Sequence, residues 1–297
     1  MTAPVVARTR AELAEALATT RKAGGRVALV PTMGALHEGH VALVREAGRL
    51  TGPDDAVVVS IFVNPMQFGP NEDLARYPRT FDEDLEKCAA ERVDVVFAPS
   101  VDEVYPGGEP QVTVQPGPGA EILEGRSRPT HFRGVLTVVA KLFGLVRPDL
   151  AVFGQKDYQQ LVLVRRMVED LCMGVEVVGA ETVREDSGLA LSSRNRYLNE
   201  EQKHEALMLS EALRAAQEAA SDGADHALAA ARAVLRRTTL VDLDYVVLTA
   251  PDLGEAPGSG EARMLVAARI GGTRLIDNMP IFLGEPMPLR GATEGGS

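Results

Sequence analysis

Short apolar runs alternate with amphipathic helical patterns through the first two thirds of the chain, and this alternation constrains the fold most. Five runs are continuously apolar, which is typical of strands covered on both faces of a parallel sheet: Arg26–Pro31, Ala56–Val63, Asp94–Ala98, Leu150–Phe153 and Val175–Val178. Helical patterns lie around and between them at Ala11–Lys22, His37–Leu50, Phe81–Ala90, Phe132–Val146 and Tyr158–Leu171. The order predicts a doubly wound, Rossmann-like α/β sheet with right-handed crossovers.

The composition changes after about Val183, which indicates a second domain. Two Ala-rich, charged helical segments precede three strand-like stretches: Glu200–Ala220, Asp225–Arg237, Asp242–Leu248, Arg263–Arg269 and Arg274–Asp277. Helices followed by strands suggest a small α+β domain. We therefore predict one domain over residues 1–182 and a smaller one over 183–297, with a loosely ordered tail at Gly284–Ser297 that is rich in Gly, Pro and small residues.

Charge and cysteine content exclude several classes of protein. The 297 residues include 42 Asp and Glu against 31 Lys and Arg, a net charge of −11, so general nucleic-acid binding is not expected. Two cysteines provide neither a disulfide framework nor a Cys-x-x-Cys zinc motif. Arg8, Arg10 and Glu12 lie where a signal peptide would be apolar, and no apolar run approaches the ~20 residues that span a bilayer. We expect a soluble, cytoplasmic protein with no membrane partner.

The segment Pro31–His40 follows the first predicted core strand and carries two of the five histidines. His37 and His40 are three residues apart, so on a first helical turn they share a face. A helix start favours bound phosphate, and Gly34 and Gly39 would let a nucleotide approach the backbone. A surface histidine or a zinc pair is the alternative, although no third ligand is evident nearby. The phosphate interpretation is favoured.

Two further polar segments follow predicted strands. Asn64 and Gln67 offer amide groups that orient hydroxyls and carboxylates, although the segment taken alone favours an Asn-Pro turn with a solvated glutamine. Gly154 would permit a tight turn, Lys156 supplies a positive charge, and Asp157 could accept from ribose hydroxyls or cap a helix. In doubly wound sheets, ligands bind at the carboxyl ends of strands, so these segments should share one edge.

The remaining two segments lie outside the strand ends. Arg128, Thr130 and His131 open a long apolar helix, where Thr130 resembles an N-cap, and capping alone accounts for about half of the signal. Ser192, Ser193 and Arg194 form a polar loop near the domain boundary that suits a clamp on a polyphosphate, although the segment taken alone favours a plain polar linker. Histidine, lysine and arginine gathered at one edge of an acidic protein indicate nucleotide binding.

Taken together, six segments resemble the pantoate–β-alanine ligase family of the nucleotidyltransferase superfamily, over roughly Arg26 to Asn278: PTMGALHEGH, SIFVNPMQF, YPRT, RPTHFRGV, FGQKDYQQL and LSSRNRYL. The resemblance implies an enzyme that ligates pantoate and β-alanine with ATP and Mg²⁺. Pantoate carboxylate would attack the α-phosphate of ATP, releasing pyrophosphate, and the β-alanine amine would then attack the pantoyl adenylate, releasing AMP. It also implies a homodimer through the N-terminal domain, with the C-terminal domain as a lid.

The resemblance further implies a role for each matching residue. The catalytic set comprises His37, His40, Lys156 and Arg194. The substrate-binding set comprises Met33, Asn64, Gln67, Arg128, His131 and Gln160. The ATP-binding set comprises Pro31, Thr32, Met33, Gly34, His37, Gly39, His40, Gly154, Lys156, Asp157, Val183, Leu191, Ser192, Ser193 and Arg194. Asp84, in an acidic stretch, is the candidate for placing Mg²⁺, directly or through water.

Three mild departures from the family pattern concern the metal shell and the adenine pocket. Gln155 replaces an acidic residue, Leu191 replaces methionine, and Glu83 replaces aspartate.

Three other functions are alternatives to the ligase. A nucleotidylyltransferase shares the His-x-Gly-His signature, a tRNA synthetase would need a basic face, and a nucleotide sensor would bind ATP without turnover. The full motif series favours the ligase.

Overall fold

The computed structural model describes residues 3–69, 74 and 77–284, so most of the tail predicted to be loose lies outside the described residues. The chain divides into two compact units. The first runs to Glu185 and includes Ala190–Ser193, whereas the second comprises Asp186–Leu189 and the chain from Arg194 onward.

The first unit is built on a six-stranded sheet in the order β1-β4-β3-β2-β5-β6. Every neighbouring pair is parallel. The strands are β1 (Val5–Ala7), β2 (Val27–Thr32), β3 (Ala56–Ile61), β4 (Val95–Phe97), β5 (Leu150–Gly154) and β6 (Glu176–Ala180). The predicted doubly wound parallel sheet is confirmed. Val30, Val59 and Val152 are completely buried in its core, as expected of strands covered on both faces.

Helices of the first unit connect these strands. They are α1 (Arg10–Ala16), α2 (Ala18–Ala23), α3 (Glu38–Leu50), α4 (Phe81–Ala90), α5 (Val101–Val104), α6 (Glu124–Ser127), α7 (His131–Val146) and α8 (Tyr158–Asp170). The single helix predicted over Ala11–Lys22 was wrong, because a break at Leu17 divides it into α1 and α2. Thr9 and Glu12 form a capping box that begins α1.

The second unit is a small α+β domain, as predicted. It contains α9 (Glu200–Glu218), α10 (Ala224–Leu235), β7 (Val241–Thr249), β8 (Gly260–Ile270) and β9 (Thr273–Leu283). The strands form an antiparallel sheet in the order β7-β8-β9. Leu209, Leu213, Met264 and Val266 belong to one buried cluster, so the helices pack against one face of this sheet.

Within the described residues, no helix is long and apolar enough to cross a membrane.

Candidate active site

The carboxyl ends of three adjacent strands bring the predicted motifs to one edge of the sheet. β2 lies between β3 and β5. Pro31 and Thr32 end β2, and the histidine segment follows them; a 3-10 turn at Pro65–Gln67 follows β3, and another at Gln155–Asp157 follows β5. Because the strands are parallel, the segments after them emerge at the same edge.

Two imidazoles cap the start of α3. His37 is the N-cap, and its Nδ1 accepts a hydrogen bond of 3.1 Å from the backbone N–H of Gly39. The backbone N–H of His37 donates in turn to Nδ1 of His40 over 3.2 Å. The ring centroids are 4.1 Å apart. The arrangement is a capping box in which histidines replace the usual Ser or Thr and Glu or Gln.

These hydrogen bonds define the tautomer of both rings. Each Nδ1 accepts a hydrogen bond, so the proton of the neutral ring lies on Nε2. Burial lowers the pKa of His37, and the positive charge of Lys156 lowers it further. Burial, followed by the neighbouring His37, lowers the pKa of His40 to about 3. At neutral pH the pair therefore provides two uncharged Nε2–H donors.

Gly39 and Gly34 make room for protein atoms. A Cβ on Gly39 would lie 2.9 Å from Cε1 of His37, so the glycine allows the imidazole to fold over the helix start. Gly34 has φ +80°, and a Cβ there would lie 3.1 Å from an oxygen of Asp84. Close approach of a nucleotide was the expected reason for both glycines, whereas the positive φ of Gly34 and the His37 ring over Gly39 already favour glycine at these positions.

Asp84 holds the loop that leads into α3. Its Oδ2 accepts from the N–H of Ala35 over 2.9 Å, and its Oδ1 accepts from the N–H of Leu36 over 2.7 Å. Thr80 also donates to it, over 3.3 Å. The carboxylate is buried. The contacts seen here make Asp84 a support for the histidine segment, and its predicted role in placing Mg²⁺ stays a prediction.

Two pairs of amide side chains in the predicted segments differ in their contacts, and the first pair, Asn64 and Gln159, binds other parts of the protein. Asn64 donates to the carbonyl of Gly134 over 3.0 Å and accepts from the Tyr105 hydroxyl over 2.8 Å. Gln159 accepts from the N–H of Glu124 over 2.9 Å and donates to the carbonyl of Gly119 over 2.7 Å. Sequence reasoning assigned no role to Tyr105, which lies outside the motifs, or to Gln159, which lies within the FGQKDYQQL segment beside Gln160. Asn64 thus fixes the turn that carries Gln67.

The other two amide side chains, those of Gln67 and Gln160, make no hydrogen bond with any residue in the described part of the chain. Gln67 follows β3 in the 3-10 turn, and Gln160 lies in the first turn of α8. Both are partly exposed. Their donors and acceptors are thus available to a ligand.

Arg128 and His131 bind the backbone of the turn that carries Gln67. Nδ1 of His131 and Nη2 of Arg128 each lie 3.2 Å from the carbonyl oxygen of Gln67, to which both donate. Nη1 of Arg128 lies 3.1 Å from Nε2 of His131 and donates to it. Thr130 occupies the N-cap position of α7, as predicted, although in a helical conformation and without a side-chain cap bond.

Lys156 and Asp157 lie in the 3-10 turn after β5. The Lys156 ammonium is 3.9 Å from the Asp157 carboxylate, and 18% of the lysine side chain is exposed. Gly154 has φ −77°, and a Cβ there would lie 3.7 Å from Leu43, an ordinary contact. Neither the backbone nor the packing therefore requires glycine at position 154, which is consistent with space kept for a ligand.

The last predicted segment returns to the start of α3. The N–H of Leu191 donates to the carbonyl of Val183 over 2.9 Å. A Cβ on Gly39 would lie 3.8 Å from the Cβ of Leu191, so Leu191 lies close to the start of α3. Ser193 and Arg194 begin a 3-10 turn, Ser193–Tyr197, where Arg194 is exposed.

Comparison with known proteins decides the family. The family model described as pantoate-beta-alanine ligase matches residues 5–280. The chain belongs to this family. A pantothenate synthetase from Nocardioides sp. is 67% identical over 96% of the chain and 88% of the relative, and one from Mycolicibacterium smegmatis is 55% identical over 97% of the chain and 90% of the relative. The resemblance predicted from the motifs is confirmed.

Solved structures of this ligase family share the fold. The chain resembles a pantothenate synthetase from Thermus thermophilus with a TM-score of 0.85 and 47% identity, covering 93% of this chain and 98% of the other. A pantoate-beta-alanine ligase from Francisella tularensis, solved with beta-gamma ATP and beta-alanine, has a TM-score of 0.75 and 34% identity, with coverage of 93% and 97%.

Membership of the pantoate–β-alanine ligase family defines the activity. The chain catalyses the ATP-dependent ligation of pantoate with β-alanine through a pantoyl adenylate, as predicted. The three rival functions are therefore excluded.

Proposed function

We propose that His37, His40, Lys156 and Arg194 form the adenylating machinery of this ligase. The observation that carries the proposal is the pair of neutral imidazoles at the start of α3, whose pKa values are lowered by burial and by nearby charge. Their Nε2–H groups suit the β- and γ-phosphates of ATP, because a helix start also offers unpaired backbone N–H groups. Lys156, largely buried beside them, suits the α-phosphate.

In the first half-reaction, a pantoate carboxylate oxygen attacks the α-phosphorus, and the bond to the β-phosphate oxygen breaks. Pyrophosphate leaves with the electron pair of that bond. Negative charge grows on the leaving oxygen, where the imidazole N–H donors stabilise it, while Lys156 neutralises the α-phosphate. Such preorganised donors favour the transition state without a covalent step on the protein.

In the second half-reaction, the β-alanine amine attacks the acyl carbon of pantoyl adenylate. The bond from that carbon to the phosphate oxygen breaks, so AMP leaves and the amine loses a proton. Gln67 and Gln160 would hold the pantoate hydroxyl and carboxylate oxygens, since their amides are available, and Met33 would pack on its dimethyl group. Arg128, His131 and Asn64 would support the turn that carries Gln67.

The remaining ATP contacts complete the proposed nucleotide site. Gly154 and Asp157 would receive the ribose, and the Ser192–Arg194 segment would close over the triphosphate. Two backbone segments would line the site. The first leads from β2 into α3, and the second is joined by the hydrogen bond between Leu191 and Val183. The residues concerned are Pro31, Thr32, Gly34, Gly39, Val183 and Leu191.

Mg²⁺ belongs to the proposal as a partner of ATP. No group of three His, Cys, Asp or Glu side chains that could hold a metal occurs among the described residues. Both oxygens of Asp84 already accept backbone hydrogen bonds. The residues described here do not form a metal cage, and Mg²⁺ in such enzymes is commonly held by substrate phosphates. We therefore assign Mg²⁺ to the phosphates of ATP.

Location and assembly extend the same proposal. We assign the ligase to the cytoplasm and to a homodimer formed through residues 1–182, with residues 183–297 serving as a lid over the reaction. Family membership supports these assignments, and a lid suits an acyl adenylate, which water would hydrolyse.

Variants of the histidine pair test the proposed machinery. His40→Gln keeps a capping-box side chain at the start of α3 but replaces the rigid imidazole Nε2–H with a flexible amide N–H that is not held in the same position. We expect pyrophosphate formation from ATP and pantoate to fall about 10²–10³-fold, since the loss of one preorganised donor has that effect. His226→Gln, at an exposed position on α10, is the matched control and should be unaffected. Adenylation at the wild-type rate in correctly folded His40→Gln would refute the assignment.

A further inference from the structure

One face of α4 runs along α3. Asp84 and Glu91 are seven residues apart, which places them two turns from each other on the same face. Asp84 accepts from the backbone just before α3, over 2.9 and 2.7 Å. Glu91 accepts from Arg45, well inside α3, over 2.7 and 3.1 Å. The two carboxylates therefore fasten α4 against α3 at both ends of this face.

Lys87 lies between these two contacts, three residues after Asp84, and is half-buried. Its neighbour Cys88 is buried in the same core cluster as residues of α3, so this turn of α4 is held against α3. Lys87 itself makes no hydrogen bond or ion pair with any residue that the structure describes. Glu38 and Glu91, two carboxylates beside this face, both pair with Arg45 instead.

The charge of Lys87 reaches both imidazoles at the start of α3. Burial is the main cause of the lowered pKa of His37 and His40, and the positive charge of Lys87 lowers both further. Lys156 acts on the same rings but follows β5, whereas α4 leads from β3 to β4 on the other side of β2. Two lysines on different elements thus flank one neutral histidine pair.

We propose that Lys87 binds the β- and γ-phosphates of ATP beside His37 and His40, as a further residue of the adenylating site. This inference rests on the proposed function of the histidine pair. Neutral imidazoles donate hydrogen bonds but do not neutralise charge, so a lysine beside them would add to the stabilisation that Mg²⁺ and Arg194 give the leaving pyrophosphate. Lys87 is the half-buried ammonium that α4 supplies there, and it belongs to none of the motifs in the sequence.

The test compares Lys87→Met, which keeps an apolar stem, with Lys87→Arg, which keeps the charge. We expect Lys87→Met to lower kcat/KM for ATP about tenfold or more, the usual effect of losing one charged hydrogen bond. Lys87→Arg should recover much of that loss. Pyrophosphate binding measured by calorimetry should weaken in the Met variant, while AMP binding and the reaction of β-alanine with preformed pantoyl adenylate stay unchanged.

Lys22→Met controls for net charge, because Lys22 is exposed on α2, before the amino end of β2. An unchanged kcat/KM for ATP in Lys87→Met would overturn the proposal. Equal slowing of both half-reactions without recovery in Lys87→Arg would also overturn it, since it would indicate a packing role. Failure of the histidine assignment is separate, because it would appear as normal adenylation in His40→Gln whatever Lys87→Met does.

Discussion

Gln159 and Gln160 are neighbours in α8, yet their side chains meet different surroundings. Gln159 is buried and binds Gly119, Ile122 and Glu124 through its amide. Gln160 is partly exposed and forms no hydrogen bond with the described residues. One amide therefore fastens a loop to α8, and the other is available to pantoate.

This contrast gives a matched pair of variants. Gln160→Ala should lower kcat/KM for pantoate about tenfold and leave the free energy of unfolding unchanged, because it removes a ligand contact. Gln159→Ala should lower the free energy of unfolding by about 1–3 kcal/mol, because buried backbone groups lose their partners. Steady-state kinetics and urea unfolding on both variants check this. A large loss of stability in Gln160→Ala with an unchanged KM would contradict it.

Residue types and motif order predicted which amides lie near the site, but they could not separate ligand contacts from structural ones. Asn64 and Gln67 belong to one motif, and both were assigned to substrate. The difference arises from Tyr105 and Gly134, which are 41 and 70 residues further along the chain and bind Asn64. Long-range contacts of this kind have no local sequence signal.

At the scale of elements, the stability of the protein depends on the protonation of the two histidines at the start of α3. The caps of this helix are Nδ1 atoms, which accept hydrogen bonds only while unprotonated. Burial and the neighbouring His37 lower the pKa of His40 to about 3, whereas an unfolded histidine has a pKa near 6.5. Between these values the unfolded chain binds a proton that the folded chain does not bind.

Stability should therefore be fully present above pH 6.5 and fall as the pH falls toward 3. At pH 5.5 the titration of His40 should lower the free energy of unfolding by about 1 kcal/mol. His40→Gln caps the helix without titrating, so its free energy of unfolding should fall less between pH 7.5 and 5.5 than that of the wild type. Urea unfolding at both pH values measures the difference. An equal fall in the free energy of unfolding in the two proteins would show that the prediction is wrong.

Helical periodicity and continuous apolar runs predicted the bounds of several elements well. The pattern at Phe81–Ala90 gave the bounds of α4 without error, and β2, β3 and β5 lie within two residues of their predicted ends. β1 was missed because it is three residues long and lies at the sheet edge, where Val5 is exposed. Such a short strand owes its conformation to pairing with β4, which its own sequence does not indicate.

At the scale of the whole molecule, an acidic chain concentrates positive side chains where ATP is proposed to bind. The net charge is −11, yet Lys156 and Lys87 both act on the histidine pair. The chain also passes from the first compact unit to the second between Ser193 and Arg194. Arg194 thus lies at a crossing between the two units, in a segment proposed to close over the triphosphate.

The two half-reactions separate the role of Arg194 from that of its neighbours. Pyrophosphate has left before β-alanine reacts, so a group that holds the triphosphate acts in the first half-reaction alone. Arg194→Ala should raise KM for ATP or slow pyrophosphate formation about tenfold, and leave the reaction of β-alanine with preformed pantoyl adenylate unchanged. Arg196→Ala is the matched control, because Arg196 lies in the same 3-10 turn with its guanidinium 5.7 Å from the ring centroid of Tyr197. Equal slowing of both half-reactions in Arg194→Ala would assign this arginine to pantoyl adenylate rather than to the triphosphate.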